Sequence, residues 1–147
     1  YEIPIKGYVD LNRNGTASGR LFGGNLSVFC GLIGTKYLKV PDKGILFIED
    51  TGEAPYKVDR MIHQLKLSGL FSRLSGMFIG QFDGYEEDNQ MYTSLLKSIR
   101  EVINEYDFPV CFNFPVGHVG LNFPLIMGHR AEIAIDDNQV NFRQDNK

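Results

Sequence analysis

The chain lacks several features that mark a function class in a sequence. It has no apolar run near the roughly 18–20 residues that span a membrane, and no charged-then-apolar signal pattern at its N-terminus. Its formal net charge is -3 with both signs mixed along the chain, so no basic stripe could neutralise nucleic-acid phosphates. We therefore expect no membrane span and no nucleic-acid binding.

Cysteine is also scarce. Only Cys30 and Cys111 are present, far apart, each in an apolar stretch and without the spacing of metal ligands. This favours two reduced core thiols over a disulfide, and so a reducing compartment, for which we expect the cytoplasm. The 43% hydrophobic and 22% charged residues among 147 suit one globular domain.

Strands alternate with helices along the middle of the chain. The apolar run Ile45–Ile48 predicts a strand covered on both faces. Pro55 suits the first turn of a helix whose apolar positions recur at helical spacing; these positions are Tyr56, Val58, Met61, Ile62 and Leu65. Further strands are predicted over residues 2–9, 76–82 and 109–112, a helix over 91–103, and a hairpin over 130–143 around Asp137 and Asn138. The pattern predicts a mixed α/β domain.

The segment before this unit is rich in glycine. Residues 11–19 predict a turn-rich loop, followed by a short segment at 20–22 and a helix from an Asn25 cap to Gly34. The glycines suggest a phosphate-binding loop, but neither GxxxxGK[ST] nor GxGxxG is present. Tight backbone packing is the favoured explanation.

Two acidic side chains stand where the predicted strand 45–48 ends. Glu49 and Asp50 are site candidates because ligands gather at the carboxyl ends of strands in open α/β sheets. His118 also follows a predicted strand, between Gly117 and Gly120, and histidine exchanges protons near neutral pH. A carboxylate beside an imidazole orients it for acid–base catalysis. Since neighbouring strand residues point to opposite sides, only one of the two acids can face His118.

A nucleophile is missing from this combination. No serine stands in a GxSxG elbow, neither cysteine has a charged neighbour in sequence, and no HExxH metal motif occurs. His63 and His129 are more typical of structural residues. Two members of a three-residue triad are therefore predicted.

The order of several short motifs resembles the LD-carboxypeptidases, a serine peptidase family that also includes microcin-immunity peptidases. The matching segments are GRLFGGNL (19–26), GT (34–35), ILFIED (45–50), PY (55–56) with DR (59–60), GQF (80–82) and PVGH (115–118). They occur in the family's order over nearly the whole chain.

The resemblance implies a two-domain enzyme with a Ser-Glu-His triad, of which residues 1–147 are the single C-terminal domain. Glu49 would be the triad acid and His118 the general base, whereas the serine and oxyanion donors would belong to an N-terminal domain. Asp50 would then bond backbone or cap the turn into the Pro55 helix, and Asp59 and Arg60 would form a structural ion pair or domain contact.

The resemblance also implies a fold. The family's fold is a swivelling β/β/α domain with a mostly parallel central sheet, flanking helices and a smaller second sheet or hairpin.

The substrate implied by the resemblance is a murein peptide, with no cofactor, no metal and a possible homodimer of the whole enzyme. Cleavage of a peptide–nucleotide antibiotic is an alternative within the family, and a stand-alone peptide- or sugar-binding domain is an alternative outside it. No initiator Met precedes Tyr1, and the chain opens in strand-like sequence, so we expect an upstream segment. We expect the isolated chain to have no peptidase activity.

Overall fold

The computed structural model describes residues 2–4, 9–137 and 139–144. Its strands are β1 (Glu2–Pro4), β2 (Gly15–Asn25), β3 (Gly44–Glu49), β4 (Leu74–Ile79), β5 (Val110–Cys111), β6 (Arg130–Ile135) and β7 (Gln139–Gln144). Its α-helices are α1 (Leu26–Cys30), α2 (Pro55–Leu67) and α3 (Leu95–Val102), with 3₁₀ turns at Val9–Leu11 and Phe71–Arg73. Among these residues no helix combines the length and apolar character needed to cross a bilayer.

The seven strands form one sheet in the order β1-β7-β6-β2-β3-β4-β5. Strands β2 to β5 pair in parallel, and β1, β7, β6 and β2 pair antiparallel. The two halves share β2: residues 15–20 pair with β6, and residues 21–25 pair with β3. The predicted α/β class, with its parallel sheet, helices and terminal hairpin, is confirmed.

The predictions of a turn-rich loop at 11–19 and a short segment at 20–22 are wrong, because most of this region belongs to β2, one strand of 11 residues. Two of its glycines admit neighbouring backbone. A Cβ on Gly19 would lie 2.1 Å from the Lys43 carbonyl oxygen, and one on Gly23 would lie 1.9 Å from that of Phe47. Tight backbone packing is therefore confirmed for Gly19 and Gly23, whereas a Cβ on Gly24 would meet nothing within 4 Å.

Smaller differences concern the ends of elements. Helix α1 ends at Cys30 instead of Gly34, because the Leu32 and Ile33 N–H groups bond three residues back, to the carbonyls of Phe29 (3.0 Å) and Cys30 (3.1 Å). Helix α3 begins at Leu95, so Met91 lies before it, and Tyr56 of α2 is exposed. In the predicted first strand, residues 2–4 pair with β7 while 5–8 lie outside the described residues, as does Asn138 of the predicted hairpin turn.

The side chains of β3 alternate between two cores, one on each face of the sheet. Leu46 and Ile48 pack with α1, α2 and α3, whereas Ile45 and Phe47 pack against Phe114 and the β6–β7 side chains. Because strand side chains alternate, Glu49 continues the Ile45 and Phe47 face and Asp50 the helix face. The carboxylates of Glu49 and Asp50 therefore point to opposite faces of the sheet.

Gly19→Ala is expected to destabilise the fold by about 3 kcal/mol or more, because the new methyl group meets backbone that cannot rotate away. Gly120→Ala is the matched control, since a Cβ there meets nothing within 4 Å. That control should change the free energy of unfolding by no more than about 0.5 kcal/mol. Urea unfolding of both variants checks the prediction, and similar losses for the two would contradict it.

Candidate functional site

The candidate site lies where β3, β4 and the segment after β5 leave the sheet. The three segments stay in register past the ends of the strands: the Gly80 N–H donates to the Ile48 carbonyl (2.7 Å), and the Gln81 N–H donates to that of Val116 (2.9 Å). An isolated bridge then pairs Gln81 with Gly117. His118 follows directly, so the backbone itself carries it to the edge where Glu49 ends β3.

Glu49 and His118 form a hydrogen-bonded pair, with 2.9 Å between Glu49 Oε2 and His118 Nδ1. The Glu49 side chain is 8% exposed and that of His118 is 59% exposed. Because a carboxylate can only accept, Nδ1 is the donor in this bond, which leaves Nε2 of a neutral imidazole unprotonated. The pair thus combines a buried, orienting acid with a base that solvent or a substrate can reach.

Two glycines make room for this pair. A Cβ on Gly80 would lie 2.6 Å from the Val116 carbonyl oxygen and 3.0 Å from Glu49 Cβ. Gly117 has φ +145, and a Cβ there would lie 2.8 Å from the Gln81 carbonyl oxygen and 3.5 Å from Glu49 Oε2. The close approach that Gly117 permits is therefore to the protein's own backbone and carboxylate.

Asp50 faces the opposite way and is 2% exposed. Its carboxylate accepts from Asn25 Nδ2 (2.8 Å), from the Ser27 N–H (2.9 Å) and from the Thr51 N–H (2.8 Å). The expected bonding to backbone is confirmed, and the helix that the carboxylate caps is α1. The reason is the alternation of β3, which aims Asp50 at the face where α1 begins.

Asn25 is the residue here whose connection the sequence analysis missed. Its Oδ1 accepts from the Val28 N–H (3.2 Å), as the predicted cap requires. It also accepts from the Ser27 hydroxyl (2.8 Å), while Nδ2 is held by Asp50. Asn25 is the register partner of Glu49 across the β2–β3 pair. No local signal could have revealed that neighbour, because β2 itself was not recognised as a strand.

The other histidines and the Asp59–Arg60 pair lie away from this edge. His63 Nδ1 lies 3.0 Å from the Asp59 carbonyl oxygen and 3.5 Å from Asp59 Oδ2, on the surface of α2. Asp59 thus lies beside His63, and the predicted ion pair with Arg60 is not among those of the described residues. The backbone of His129 bonds to that of Leu21 and Ile126.

Both cysteines are buried and unpaired, as predicted. Burial, with a smaller contribution from the negative charge of Asp50, raises the pKa of Cys30 to about 11. Burial raises the pKa of Cys111 to about 12. Neither sulfur is therefore a thiolate at neutral pH, and neither serves as a nucleophile for this site.

The acidic side chains of the loop at 86–88 order that loop and the start of α3. Glu87 Oε2 accepts from the Leu95 N–H at 3.0 Å, and so caps α3 from outside the helix. The hydroxyl of Ser94, which precedes α3, makes no capping bond. Asp88 Oδ1 accepts from the Gln90 N–H at 2.9 Å. Both acids are used to order the loop.

The chain is similar in sequence to known proteins. Residues 18–133 match the family model of the LD-carboxypeptidase C-terminal domain. A probable murein peptide carboxypeptidase of Bacillus subtilis is 32% identical over 119 residues, covering 80% of this chain and 37% of that protein. The microcin C7 self-immunity protein of Escherichia coli is 27% identical over 135 residues, covering 89% of this chain and 38% of that protein.

A solved structure shares the architecture almost throughout. The muramoyltetrapeptide carboxypeptidase from Oxalobacter formigenes superposes with a TM-score of 0.87 at 25% identity, over 99% of this chain and 49% of that one. The chain therefore spans half or less of the length of each of these three proteins. The matched residues include both Glu49 and His118.

Proposed function

The chain belongs to the LD-carboxypeptidase family, as its C-terminal domain, and from that premise we propose that it supplies the Glu and the His of a Ser-Glu-His triad. The observation that carries the proposal is the 2.9 Å bond between buried Glu49 and exposed His118. Glu49 acts as the positioning acid, and His118 acts as the general base and acid. The family itself consists of carboxypeptidases.

The proton moves through Nε2 of His118. This nitrogen takes the proton of a serine hydroxyl as the oxygen attacks the amide carbonyl, and later gives it to the leaving amine. Among the described residues, no serine hydroxyl bonds to His118, whose side-chain partner is Glu49. The serine and the oxyanion donors are therefore proposed to lie on the N-terminal domain, in the part of the relatives that this chain does not cover.

The proposed substrate is a murein tetrapeptide that loses its terminal D-amino acid during peptidoglycan recycling in the cytoplasm. Support comes from the names of the Bacillus subtilis relative and of the Oxalobacter formigenes structure. The N-terminal domain is the first partner required, and a homodimer of the whole enzyme is a further proposed assembly. No cofactor enters the proposed reaction.

The test compares the 147-residue chain with the complete protein on an L,D-linked murein tetrapeptide. The complete protein should release the terminal D-amino acid, whereas the chain alone should give no turnover above buffer, since the attacking oxygen is absent. Mass spectrometry of the tripeptide product measures both. Turnover by the chain, purified free of complete protein, would overturn the divided triad.

A second candidate is peptide–nucleotide hydrolysis of the microcin-immunity type. It is favoured by the Escherichia coli self-immunity relative, which aligns with 89% of this chain. The same Glu49–His118 pair would serve both reactions, because both would cleave an amide. Supplying the complete protein with each substrate separately, and comparing kcat/KM, decides between them.

A further inference from the structure

A second polar feature lies at the other end of β3, away from Glu49. An open cleft of about 470 Å³ is lined by Ser18, Gly19, Arg20, Asp42, Lys43 and Arg130; we call it the cationic cleft. Lys43 immediately precedes β3, and Glu49 is the last of its six residues. At about 3.3 Å per strand residue, the two sites are roughly 20 Å apart. The proposed triad makes no use of this cleft.

The sheet register places two of these cations side by side. Arg20 of β2 and Arg130 of β6 are direct partners in the antiparallel pair, and both are exposed. Directly opposite residues project from the same face with Cβ atoms about 4.5–5.5 Å apart, and like charges in this position are unfavourable. A structural role alone does not account for two arginines here.

Two acids lie near these charges. Glu132 is two residues from Arg130 on the same exposed face of β6, and it forms no ion pair within the described residues. Asp42 Oδ1 is engaged by Arg73, at 2.7 Å from Nη2 and 3.0 Å from Nε. Arg130 Nη2 donates to the Ser18 hydroxyl at 2.9 Å, which orients its guanidinium beside the cleft. Within the described residues, neither Arg20 nor Lys43 forms an ion pair. Three cations therefore gather on a chain whose net charge is -3.

Lys43 is held in an unusual backbone conformation. Its φ is 53°, in the left-handed region that residues other than glycine seldom adopt. The Ser75 hydroxyl donates to its carbonyl oxygen at 2.9 Å, and that oxygen packs on Gly19. The backbone at Lys43 is thereby fixed where the residue lines the cleft.

We propose that the cationic cleft binds a compact oxyanion, namely a phosphate or carboxylate group on a small molecule. Guanidinium groups match the oxygens of both anions in bidentate geometry, and an ammonium group adds a point charge. A bound anion would also relieve the repulsion between Arg20 and Arg130. Ser18 additionally lines a cavity of about 930 Å³ over β2, β6 and β7, which leaves space for the body of a larger ligand.

Inorganic phosphate is the first probe, titrated into the 147-residue chain at constant ionic strength set with chloride. Amide chemical shifts should move around residues 18–20, 43–44 and 130. Arg20→Gln should weaken phosphate binding about tenfold or more, because it removes a charge-assisted contact. Lys43→Gln should also weaken it, while Lys97→Gln, the same change at an exposed position on α3, should not.

Equal phosphate affinity in wild type, Arg20→Gln and Lys43→Gln would overturn the proposal, as would shifts that chloride alone reproduces. Thermal unfolding adds a second measurement, since phosphate should raise the Tm of the wild type but not that of Arg20→Gln. Acetate and a sugar phosphate form the comparison arms. Preference for acetate supports a carboxylate ligand, and tighter binding of the sugar phosphate than of phosphate supports a phosphorylated one.

Discussion

Glu49→Gln is expected to lower kcat/KM of the complete protein on an L,D-linked tetrapeptide by about 10³- to 10⁴-fold. A carboxylate can only accept, so it keeps the proton on Nδ1 of His118 and leaves Nε2 as the base. The glutamine amide can instead donate to Nδ1. The imidazole then carries its proton on Nε2, where it cannot accept the proton of the attacking hydroxyl. Initial rates at subsaturating substrate measure the loss.

Folding should survive this substitution, because glutamine has the shape of glutamate and the room made by Gly80 and Gly117 is unchanged. Circular dichroism and urea unfolding should therefore match the wild type closely. Glu101→Gln is the control, an identical chemical change at an exposed position of α3. It should retain full activity.

A double substitution distinguishes a pair that acts as a unit from two independent contributions. His118→Ala removes the base outright, so adding Glu49→Gln to it should cost almost nothing more. Multiplicative losses would mean that Glu49 acts other than through His118. A loss below tenfold for Glu49→Gln alone, with folding intact, would count against a triad role for this acid.

Asp50→Ala is expected to destabilise the domain by about 2–3 kcal/mol, because it removes the one acceptor shared by Asn25, Ser27 and Thr51. Three donors would lose that partner, and water can replace part of the lost bonding, because Asn25 and Ser27 are half-buried and Thr51 is exposed. Such a loss is a large fraction of the roughly 5–15 kcal/mol that stabilises a typical protein. Urea unfolding followed by circular dichroism measures it.

Asp50→Asn separates the three bonds. The amide oxygen can still accept from Asn25 and Thr51, both of which bond Oδ1, but the amide nitrogen then faces the Ser27 N–H. We therefore expect about half the loss seen with alanine. Asp107→Ala, at an exposed carboxylate, should change stability by no more than about 0.5 kcal/mol. Equal stability of the Ala and Asn variants would contradict the network.

The sequence was sufficient to identify the two residues that meet at the sheet edge. An apolar run that stops at an acid places that acid at the carboxyl end of a strand, and His118 follows another strand in the same way. Parallel strands bring such ends to one edge, and the side-chain period of two lets only one of Glu49 and Asp50 face a given side. Their 2.9 Å contact agrees with that reasoning, while their catalytic roles stay a prediction.

What the sequence did not predict depends on contacts between distant segments. Strand β2 has a composition that local propensity assigns to a loop. Its Gly19 and Gly23 are explained only by the carbonyls of Lys43 and Phe47, which pack where side chains would be. The helix that Asp50 caps likewise depends on how β2 lies beside β3. The bond from the Leu95 N–H of α3 to Glu87 also depends on a contact that the local sequence does not reveal. An acidic loop residue that caps a helix looks the same in sequence as one that is only solvated.

The division of β2 between two halves of the sheet also bears on the order in which the chain can assemble. Its neighbour β3 follows soon after it, but Ser18 and the Arg130 that bonds to it are 112 residues apart. Closing so long a loop comes late and slows folding. Until the last hairpin is synthesised, the first half of β2 presents an unsatisfied edge, the kind of surface that recruits strands from other chains. The β6–β7 hairpin is thus the element that covers this edge of β2.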